Sequence, residues 1–519
     1  MRWSVKPSAT AFSIRKPLPK SLPKNFAKVA LPSVSAVSIG SSLSLVFKKK
    51  LYQYHPQRAV QNVDTYRTKT KVQIQPADAA SLERGVRQLL ADKVSGDMVG
   101  LWLLVPEHLR LGTWDLLVRW SGQPTPRVEP RLALQLVHEA ALCVTGVRQS
   151  RCLSQKGFEL LHGLPFVATD PAIHDLLEAH TVAEAEALQK ALGWLRRARG
   201  HFRAELLAID PHRLRSYSQR LMCRYRGDET ARPFKAAPTF FCLDVDTHQP
   251  VCFTHGSSAL SVTQATPPLL ALAADILNPH PQQPRPLVMA DSEHYTTALL
   301  DHLCQNTPFD FLVPMPETRS LLQALQQIPA DQFQRQWAGL ATTQRPYTLK
   351  NSQAGPFCQL IQRCGEKPQD YRYKAFLATR SHRQVEDLTL HFPKRWHVEE
   401  FFNAHQALGW KRAGTRNLNI RYGQMSMALI AQAVLHQLRQ RLAEPYSSWD
   451  ASHLARAVLH GLDGDIRVEQ DTIVVTFYNA PHADQLRPHY QHLPQKLEQE
   501  QIDPRIPWLY HYKLDFRFK

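Results

Sequence analysis

Two apolar runs near the middle of the chain each end in an aspartate, and they constrain the fold more than any other feature. The runs are Glu205–Asp210 and Pro286–Asp291. Short apolar runs bounded by polar residues are typical of buried strands. The segments between and after them predict a hairpin (Thr239–Asp246 and Val251–His255), a helix (Leu269–Leu277), a second helix (Tyr295–Cys304) and a further strand (Phe309–Val313). This order predicts an α/β fold, in which helices flank one mixed sheet.

The charge of the chain points to a polyanionic partner, and nucleic acid is the first candidate. The formal net charge is +18 over 519 residues. Residues 1–63 hold eleven Lys and Arg and no acid, whereas the remaining 456 residues carry 52 basic and 45 acidic side chains. We interpret residues 1–60 as a basic arm; a dispensable tail and a targeting segment are the alternatives.

Several functional classes are disfavoured. Eight cysteines occur singly, without a C-x-x-C pair, so a zinc module or disulfide framework is not expected and a reducing cytoplasm fits. Neither a P-loop nor a dinucleotide-binding glycine motif occurs. The uncharged stretch from 29 to 47 contains six serines and Pro32, so it is too polar to predict a membrane span.

Changes in periodicity divide the chain into segments. Leu82, Val86, Leu89 and Leu90 follow helical spacing, and similar stripes continue to about residue 204. Short basic-edged helices suit a DNA-binding region, although a helical subdomain that merely packs is the alternative. We predict a basic arm (1–60), a helical DNA-binding region (61–204), a core in two parts (205–316 and 389–445), a β-rich insertion between them (317–388) and a small C-terminal α/β region (446–519).

Three carboxylates stand out as candidate metal ligands. Asp210 and Asp291 end predicted strands, and Glu399 lies on a predicted helix, Arg395–Leu408, whose apolar side would face a core. Hard divalent cations prefer oxygen ligands, and two such ions about 4 Å apart can bind the attacking and leaving oxygens of a phosphodiester. Carboxylates from two adjacent strands and a crossing helix can form such a site.

Two stretches around these residues resemble the DDE transposases of bacterial insertion sequences. Leu287–Tyr295 is similar to the family's strand and motif around the second aspartate, and R-W-H-V-E from Arg395 to Glu399 is similar to the core of its Y-x2-R-x3-E-x6-K signature. The resemblance covers about residues 205–440. Two signature positions differ, because Phe392 replaces the usual tyrosine and Gln406 the usual lysine.

The identity of the first carboxylate stays open between Asp210 and the pair Asp244 and Asp246. The resemblance implies an RNase H-like core, in which three antiparallel strands and a helix precede the strand of the second aspartate. Placing Asp210 on the first strand satisfies this count. Acidic residues beside Thr247 also have a simple role as turn formers. We therefore favour Asp210.

The resemblance implies a DNA transposase that cleaves element ends and joins the freed 3′-hydroxyl to target DNA. It implies that Asp210, Asp291 and Glu399 hold two Mg²⁺ ions, for which Mn²⁺ substitutes. Arg395, Lys411, Arg412 and Trp337 are the candidate DNA-binding residues, and Trp337 either holds a flipped base or packs. A homodimer or higher synaptic complex in the bacterial cytoplasm is expected. A catalytically inactive DNA-binding relative and an RNase H-like nuclease or resolvase are the alternatives.

Overall fold

Two sheets organise the part of the chain that the computed structural model describes. Described are residues 79–96, 98–122, 128–144, 156–216, 221, 224–226, 232–256, 259–379, 386–409, 417–442, 444–478, 480 and 483–519. They lie within one compact unit, Pro56–Lys519. The predicted arm, Lys411 and Arg412 lie outside the described residues.

The strands are β1 (Val94–Gly96), β2 (Leu206–Arg215), β3 (Arg224–Tyr225), β4 (Phe234–Asp244), β5 (Gln249–His255), β6 (Leu287–Met289), β7 (Asp310–Pro314), β8 (Gln334–Trp337), β9 (Leu340–Tyr347), β10 (Phe357–Cys364), β11 (Arg372–Ala378), β12 (Gly464–Glu469), β13 (Thr472–Phe477) and β14 (Lys513–Phe518).

The α-helices are α1 (Ala79–Ala91), α2 (Leu104–Leu111), α3 (Thr113–Ser121), α4 (Val128–Ala141), α5 (Lys156–Leu161), α6 (Asp170–Glu178), α7 (Val182–Ala198), α8 (Val262–Leu277), α9 (Thr297–Asn306), α10 (Arg319–Gln326), α11 (His397–His405), α12 (Leu418–Arg441), α13 (Ala451–Leu454), α14 (Ala483–Tyr490) and α15 (Leu493–Gln499). None of them is both long and apolar enough to cross a membrane, as far as the described residues go.

The main sheet has ten strands, and five of them lie in the order β5–β4–β2–β6–β7. β4 is antiparallel to β5 and to β2, whereas β2, β6 and β7 are mutually parallel neighbours. Helix α8 connects the three antiparallel strands to β6. This is the mixed α/β arrangement that the sequence predicted, with the strand count expected of an RNase H-like core.

The β-rich insertion extends the same sheet. β11 pairs antiparallel with β7, and β10, β9 and β8 follow in order. The inserted strands are therefore hydrogen-bonded directly to the core strand β7, so the insertion and the core share one continuous backbone ladder.

Two predicted elements have different bounds in the structure. Strand β2 was predicted to end at Asp210 but continues to Arg215, because residues 211–215, which do not continue the apolar run, pair with Ala236–Phe240 of β4. The predicted helix Arg395–Leu408 begins as a 3-10 turn, Phe392–Trp396, and becomes α-helical at His397. Pro393 lies in the first turn, where a helix has no acceptor for the backbone N–H that proline lacks.

The helical region before β2 packs into the core rather than standing apart. Every residue of α4 except Glu129 is buried, so α4 has no free face to enter a DNA groove. The basic end of α7 is also committed to packing. Arg196 is buried and donates to the Pro250 carbonyl at 2.6 Å, and Arg197 donates to the Ile276 carbonyl at 3.1 Å. The described part of the region consists mainly of helices, and its DNA-binding role stays a prediction.

A four-stranded sheet, β1–β12–β13–β14, joins the two ends of the described chain. Trp508, which precedes β14, is buried, and its Nε1 donates to the Leu161 carbonyl at 3.0 Å. Gly163 allows this contact, because a Cβ there would lie 2.0 Å from the Trp508 carbonyl oxygen. One hydrophobic core therefore contains side chains from α1 through β14.

Candidate active site

Asp210 lies on β2 where the strand leaves the hydrophobic core. Ile209 before it is buried, whereas the Asp210 side chain is 16% exposed. Burial, together with the negative charges of Asp291 and Glu399, raises the pKa of Asp210 to about 7, and Arg395 and Arg213 oppose this shift. Both other candidate carboxylates therefore act electrostatically on Asp210.

Asp291 follows β6, the strand that is parallel to β2. Because Ala208 pairs with Met289, the two aspartates lie at the same end of the β2–β6 ladder, each two residues beyond its last pair. Asp291 Oδ1 accepts hydrogen bonds from the Glu293 amide at 3.0 Å and from His294 Nδ1 at 2.7 Å. Burial disfavours the charged form, but these bonds and the charges of His294 and Arg395 lower the pKa of Asp291 below its ordinary value. Asp291 is therefore held as a carboxylate.

Glu399 lies in the first turn of α11, which the sheet positions through aromatic packing. Val398, Phe401 and Phe402 are buried, and the Phe402 ring lies 5.3 Å from that of Phe241 on β4. His212 of β2 stacks on Phe402 at 4.3 Å. The apolar side of α11 faces the sheet, and the Glu399 carboxylate lies close enough to Asp210 to contribute to its raised pKa.

Arg395 links two of the three carboxylates. Its Nη1 lies 3.9 Å from Asp210 Oδ1, and its Nη2 lies 3.6 Å from Glu399 Oε1. The Arg395 side chain is 15% exposed. The guanidinium therefore supplies positive charge to a cluster that otherwise carries three acids.

Asp244 has a structural role in the β4–β5 turn. Its fully buried carboxylate accepts hydrogen bonds from the Ala204 amide at 2.6 Å, the Thr247 amide at 3.0 Å and the Thr247 hydroxyl at 2.8 Å. Burial raises the pKa of Asp244. Both carboxylate oxygens thus hold the turn.

Asp246 is bound to the segment that precedes Glu399. Lys394 Nζ lies 3.0 Å from Asp246 Oδ1. Beside this ion pair, the rings of His248 and His397 stack at 4.2 Å. The hairpin turn therefore packs against the start of α11, and neither acid of the turn is free to join Asp210.

The three candidate carboxylates fit a divalent cation by chemistry, yet they do not form a closed ligand group. Carboxylate oxygens are the ligands that hard divalent cations prefer, and burial followed by the charges of Asp291 and Glu399 raises the pKa of Asp210. Within the described ranges, however, no three His, Cys, Asp or Glu side chains lie close enough together to hold a metal ion. Arg395 lies beside two of the three carboxylates, Asp210 and Glu399.

A pocket of about 620 Å³ opens beside Arg395. Its walls include Trp337 from the insertion, Lys374 from β11 and Trp396. Trp337 is 50% exposed and Trp396 56% exposed. Phe392, at the signature tyrosine position, also lines the pocket and packs on Phe376 at 4.8 Å. The pocket thus combines aromatic faces with positive charge next to the carboxylates.

Sequence reasoning missed two contributors to this site. The sequence predicts only a surface or core role for His294, although its position three residues after Asp291 is a spacing at which a turn brings side chains together. Arg213, which opposes the raised pKa of Asp210, lies on the strand extension that the apolar pattern did not show. Its guanidinium pairs with Glu293 and lies 4.2 Å from the Tyr225 ring centre.

Comparison with known proteins identifies the class of this domain. Residues 237–433 match the family described as Transposase DDE domain. The chain therefore carries a DDE transposase domain, and the resemblance drawn from the motifs is confirmed over these residues. Asp291 and Glu399 fall inside the match, whereas Asp210 precedes it.

A search of solved structures finds the piggyBac transposase synaptic complex with hairpin DNA, at 10% identity and a TM-score of 0.33. That match covers 71% of this chain and 82% of the other. A likeness this distant adds nothing to the assignment. No curated protein matches the chain.

Proposed function

We propose that this chain is a DNA transposase that cleaves insertion-sequence ends and joins the freed 3′-hydroxyl to target DNA. The observation that carries the proposal is the convergence of Asp210, Asp291 and Glu399, from β2, the loop after β6 and α11, on one edge of a sheet whose chain matches a DDE transposase domain. The alternatives of an inactive relative and of a nuclease that cuts without joining differ in measurable products.

Asp210, Asp291 and Glu399 would hold two Mg²⁺ ions, or Mn²⁺ in their place. When bound, the ions would activate the attacking oxygen and stabilise the leaving oxygen of the phosphodiester. Water and then the DNA 3′-hydroxyl are the nucleophiles in this proposal, so no serine or cysteine of the chain is needed. His294 keeps Asp291 oriented and ionised through its hydrogen bond at 2.7 Å.

Exposed aromatic and basic groups beside the carboxylates would hold the DNA. Arg395 and Lys374 border the pocket, and Trp337 offers a half-exposed ring for stacking with a base. Lys411 and Arg412 remain proposed phosphate contacts. The basic arm and the helical region would bind element ends, and two or more copies would form the synaptic complex in the bacterial cytoplasm.

The proposed role of Trp337 is testable with a matched control. Base stacking contributes about 1–3 kcal/mol per base. We therefore expect Trp337→Ala to weaken binding of a duplex with one unpaired base by at least about fivefold. Trp194 is also 50% exposed, but it lies on α7, where its Nε1 donates to the Asp275 carbonyl. Trp194→Ala should leave that affinity unchanged, and equal reductions would argue against a Trp337 site.

The proposed chemistry is tested with a plasmid that carries the DNA flanking the gene, in Mg²⁺. Wild type should cut at the element ends and join them to a second DNA. Asp291→Asn and Glu399→Gln should bind DNA and cut none of it. Glu400→Gln is the control, because Glu400 neighbours Glu399 on α11 but is exposed. Cutting without joining would indicate a nuclease, and binding without cutting by wild type would indicate an inactive relative.

A further inference from the structure

Arg395 lies against two candidate ligands at once without binding either tightly. Its distances of 3.9 Å to Asp210 and 3.6 Å to Glu399 exceed the roughly 2.7–2.9 Å of a charge-assisted hydrogen bond. A guanidinium has five donors in a planar fork, and a bidentate pair with one carboxylate would use it better. The observed position instead balances the charge of both acids.

The same side chain also borders the pocket lined by Trp337, Lys374 and Trp396. Arg395 therefore lies at the boundary between the carboxylates on one side and an open, aromatic and basic pocket on the other. Because Arg395 borders both, its long side chain has no intervening element of the described chain to cross between the carboxylates and the pocket.

We propose that Arg395 is an internal counter-ion, which divalent cations displace from Asp210 and Glu399, and that the freed guanidinium then binds a DNA phosphate at the pocket. This inference rests on the proposed function.

Electrostatics makes the two occupancies exclusive. Two positive charges about 4 Å apart repel strongly in a partly buried site, so Arg395 and a divalent cation cannot share Asp210 and Glu399 at low cost. Because binding linkage is reciprocal, a metal that releases Arg395 strengthens DNA binding, and DNA that holds Arg395 strengthens metal binding by the same factor.

The first test measures Mn²⁺ affinity by electron paramagnetic resonance, without DNA and without turnover. Arg395→Met removes the competing cation, so Mn²⁺ should bind at least about fivefold tighter than to wild type. If Arg395 instead positions the ligands, its removal would weaken Mn²⁺ binding or leave it unchanged, and either result overturns the proposal. Arg395→Lys keeps a positive charge and should fall between the two.

Lys394→Met is the matched control, since Lys394 is the adjacent cation but binds Asp246 of the hairpin turn at 3.0 Å. Its Mn²⁺ affinity should equal that of wild type. If Lys394→Met tightens binding as much as Arg395→Met, the effect is a general loss of positive charge and the proposal is wrong. Circular dichroism of each variant establishes that the fold is retained.

The second test measures the effect of Ca²⁺ on the affinity for a short labelled duplex of arbitrary sequence. In wild type, Ca²⁺ should tighten binding by at least about fivefold more than it does in Arg395→Met. Equal responses in the two proteins would refute the release of Arg395 to DNA. If wild type, Arg395→Met and Asp291→Asn all fail to bind Mn²⁺, the proposed metal site itself fails. Normal Mn²⁺ binding with no effect of Arg395→Met rejects the counter-ion alone.

Discussion

Replacing Asp210 with asparagine should stabilise the metal-free protein while it abolishes cleavage. Burial and the charges of Asp291 and Glu399 raise the pKa of Asp210 to about 7, whereas an unfolded aspartate has a pKa of about 3.9. The folded state thus disfavours ionisation, and the free energy of unfolding falls as pH rises from about 4 through 7. A pKa raised by about three units lowers the free energy of unfolding by about 4 kcal/mol at pH 8.

Asparagine is neutral at every pH, so this penalty disappears in the variant. The penalty of about 4 kcal/mol is an upper limit for a partly exposed group, so a gain of about 1–4 kcal/mol is the corresponding range. We expect Asp210→Asn to gain stability in that range at pH 8, and the gain should shrink toward zero near pH 4. The same substitution removes an anionic metal ligand, so cleavage should be abolished.

Asp244→Asn is the matched comparison: it should destabilise the protein and leave cleavage intact. The Asp244 oxygens face the amides of Ala204 and Thr247 and the Thr247 hydroxyl. An amide nitrogen cannot accept these hydrogen bonds, and a buried unsatisfied donor costs about 1–3 kcal/mol. Burial raises the pKa of Asp244, so the expected destabilisation comes from hydrogen-bond geometry rather than from charge. The folded fraction should still cleave DNA.

Urea unfolding in EDTA between pH 4 and pH 8, together with a plasmid-nicking assay in Mg²⁺, checks both variants. A less stable Asp210→Asn at pH 8 would refute the electrostatic argument. An inactive but folded Asp244→Asn, alongside an active Asp210→Asn, would assign the first carboxylate to Asp244 and overturn the strand count.

Three further predictions concern the rest of the chain. Burial lowers the pKa of His108 and His162 to about 3. The free energy of unfolding should therefore be full above about pH 6.5 and fall by roughly 2 kcal/mol per histidine by pH 5. His162→Gln should flatten this dependence on pH in urea unfolding, and an unchanged profile would contradict a buried, neutral His162. Glu107→Gln should lower the free energy of unfolding by about 3–5 kcal/mol, because the buried Glu107 carboxylate pairs with Arg110 at 2.8 Å and Arg441 at 3.0 Å. Glu83→Gln, in an exposed pair, should lower it by under about 1 kcal/mol. Similar unfolding midpoints for the two variants would refute the argument. Deleting residues 1–60 should flatten the log–log salt dependence of DNA affinity by slightly less than one unit for each phosphate that the arm neutralises, and a salt titration with the original slope would remove the arm from DNA binding.

The order of the core strands could be predicted because each is an apolar run with a clear boundary. That count also placed Asp210, rather than Asp244, beside Asp291. The length of β2 could not be predicted, because its last five residues break the apolar pattern with Pro211, His212 and two arginines, and their strand conformation comes from pairing with β4. The link between β11 and β7 was equally hidden, since their pairing joins residues more than 60 positions apart.

The candidate site was predictable as a set of residue types but not as an arrangement. Motif spacing brought out Asp291, Arg395 and Glu399, and the structure places them together. The position of Arg395 between two acids depends on the 3-10 turn before α11, which the helical pattern concealed. His294 was missed because a single histidine carries no periodic signal, and its role depends on a hydrogen bond.

The burial of Trp508 against the Leu161 carbonyl has a consequence for synthesis of the chain. These residues are 347 positions apart. At about 5–20 residues per second, the ribosome needs roughly 17–70 s to add the partner after Leu161 has been made. During that interval the helices before β2 lack the C-terminal side chains that complete their core, and their apolar faces are exposed to chaperones and to neighbouring nascent chains. Abundance in the cell should therefore depend on how fast the codons between Leu161 and Trp508 are translated.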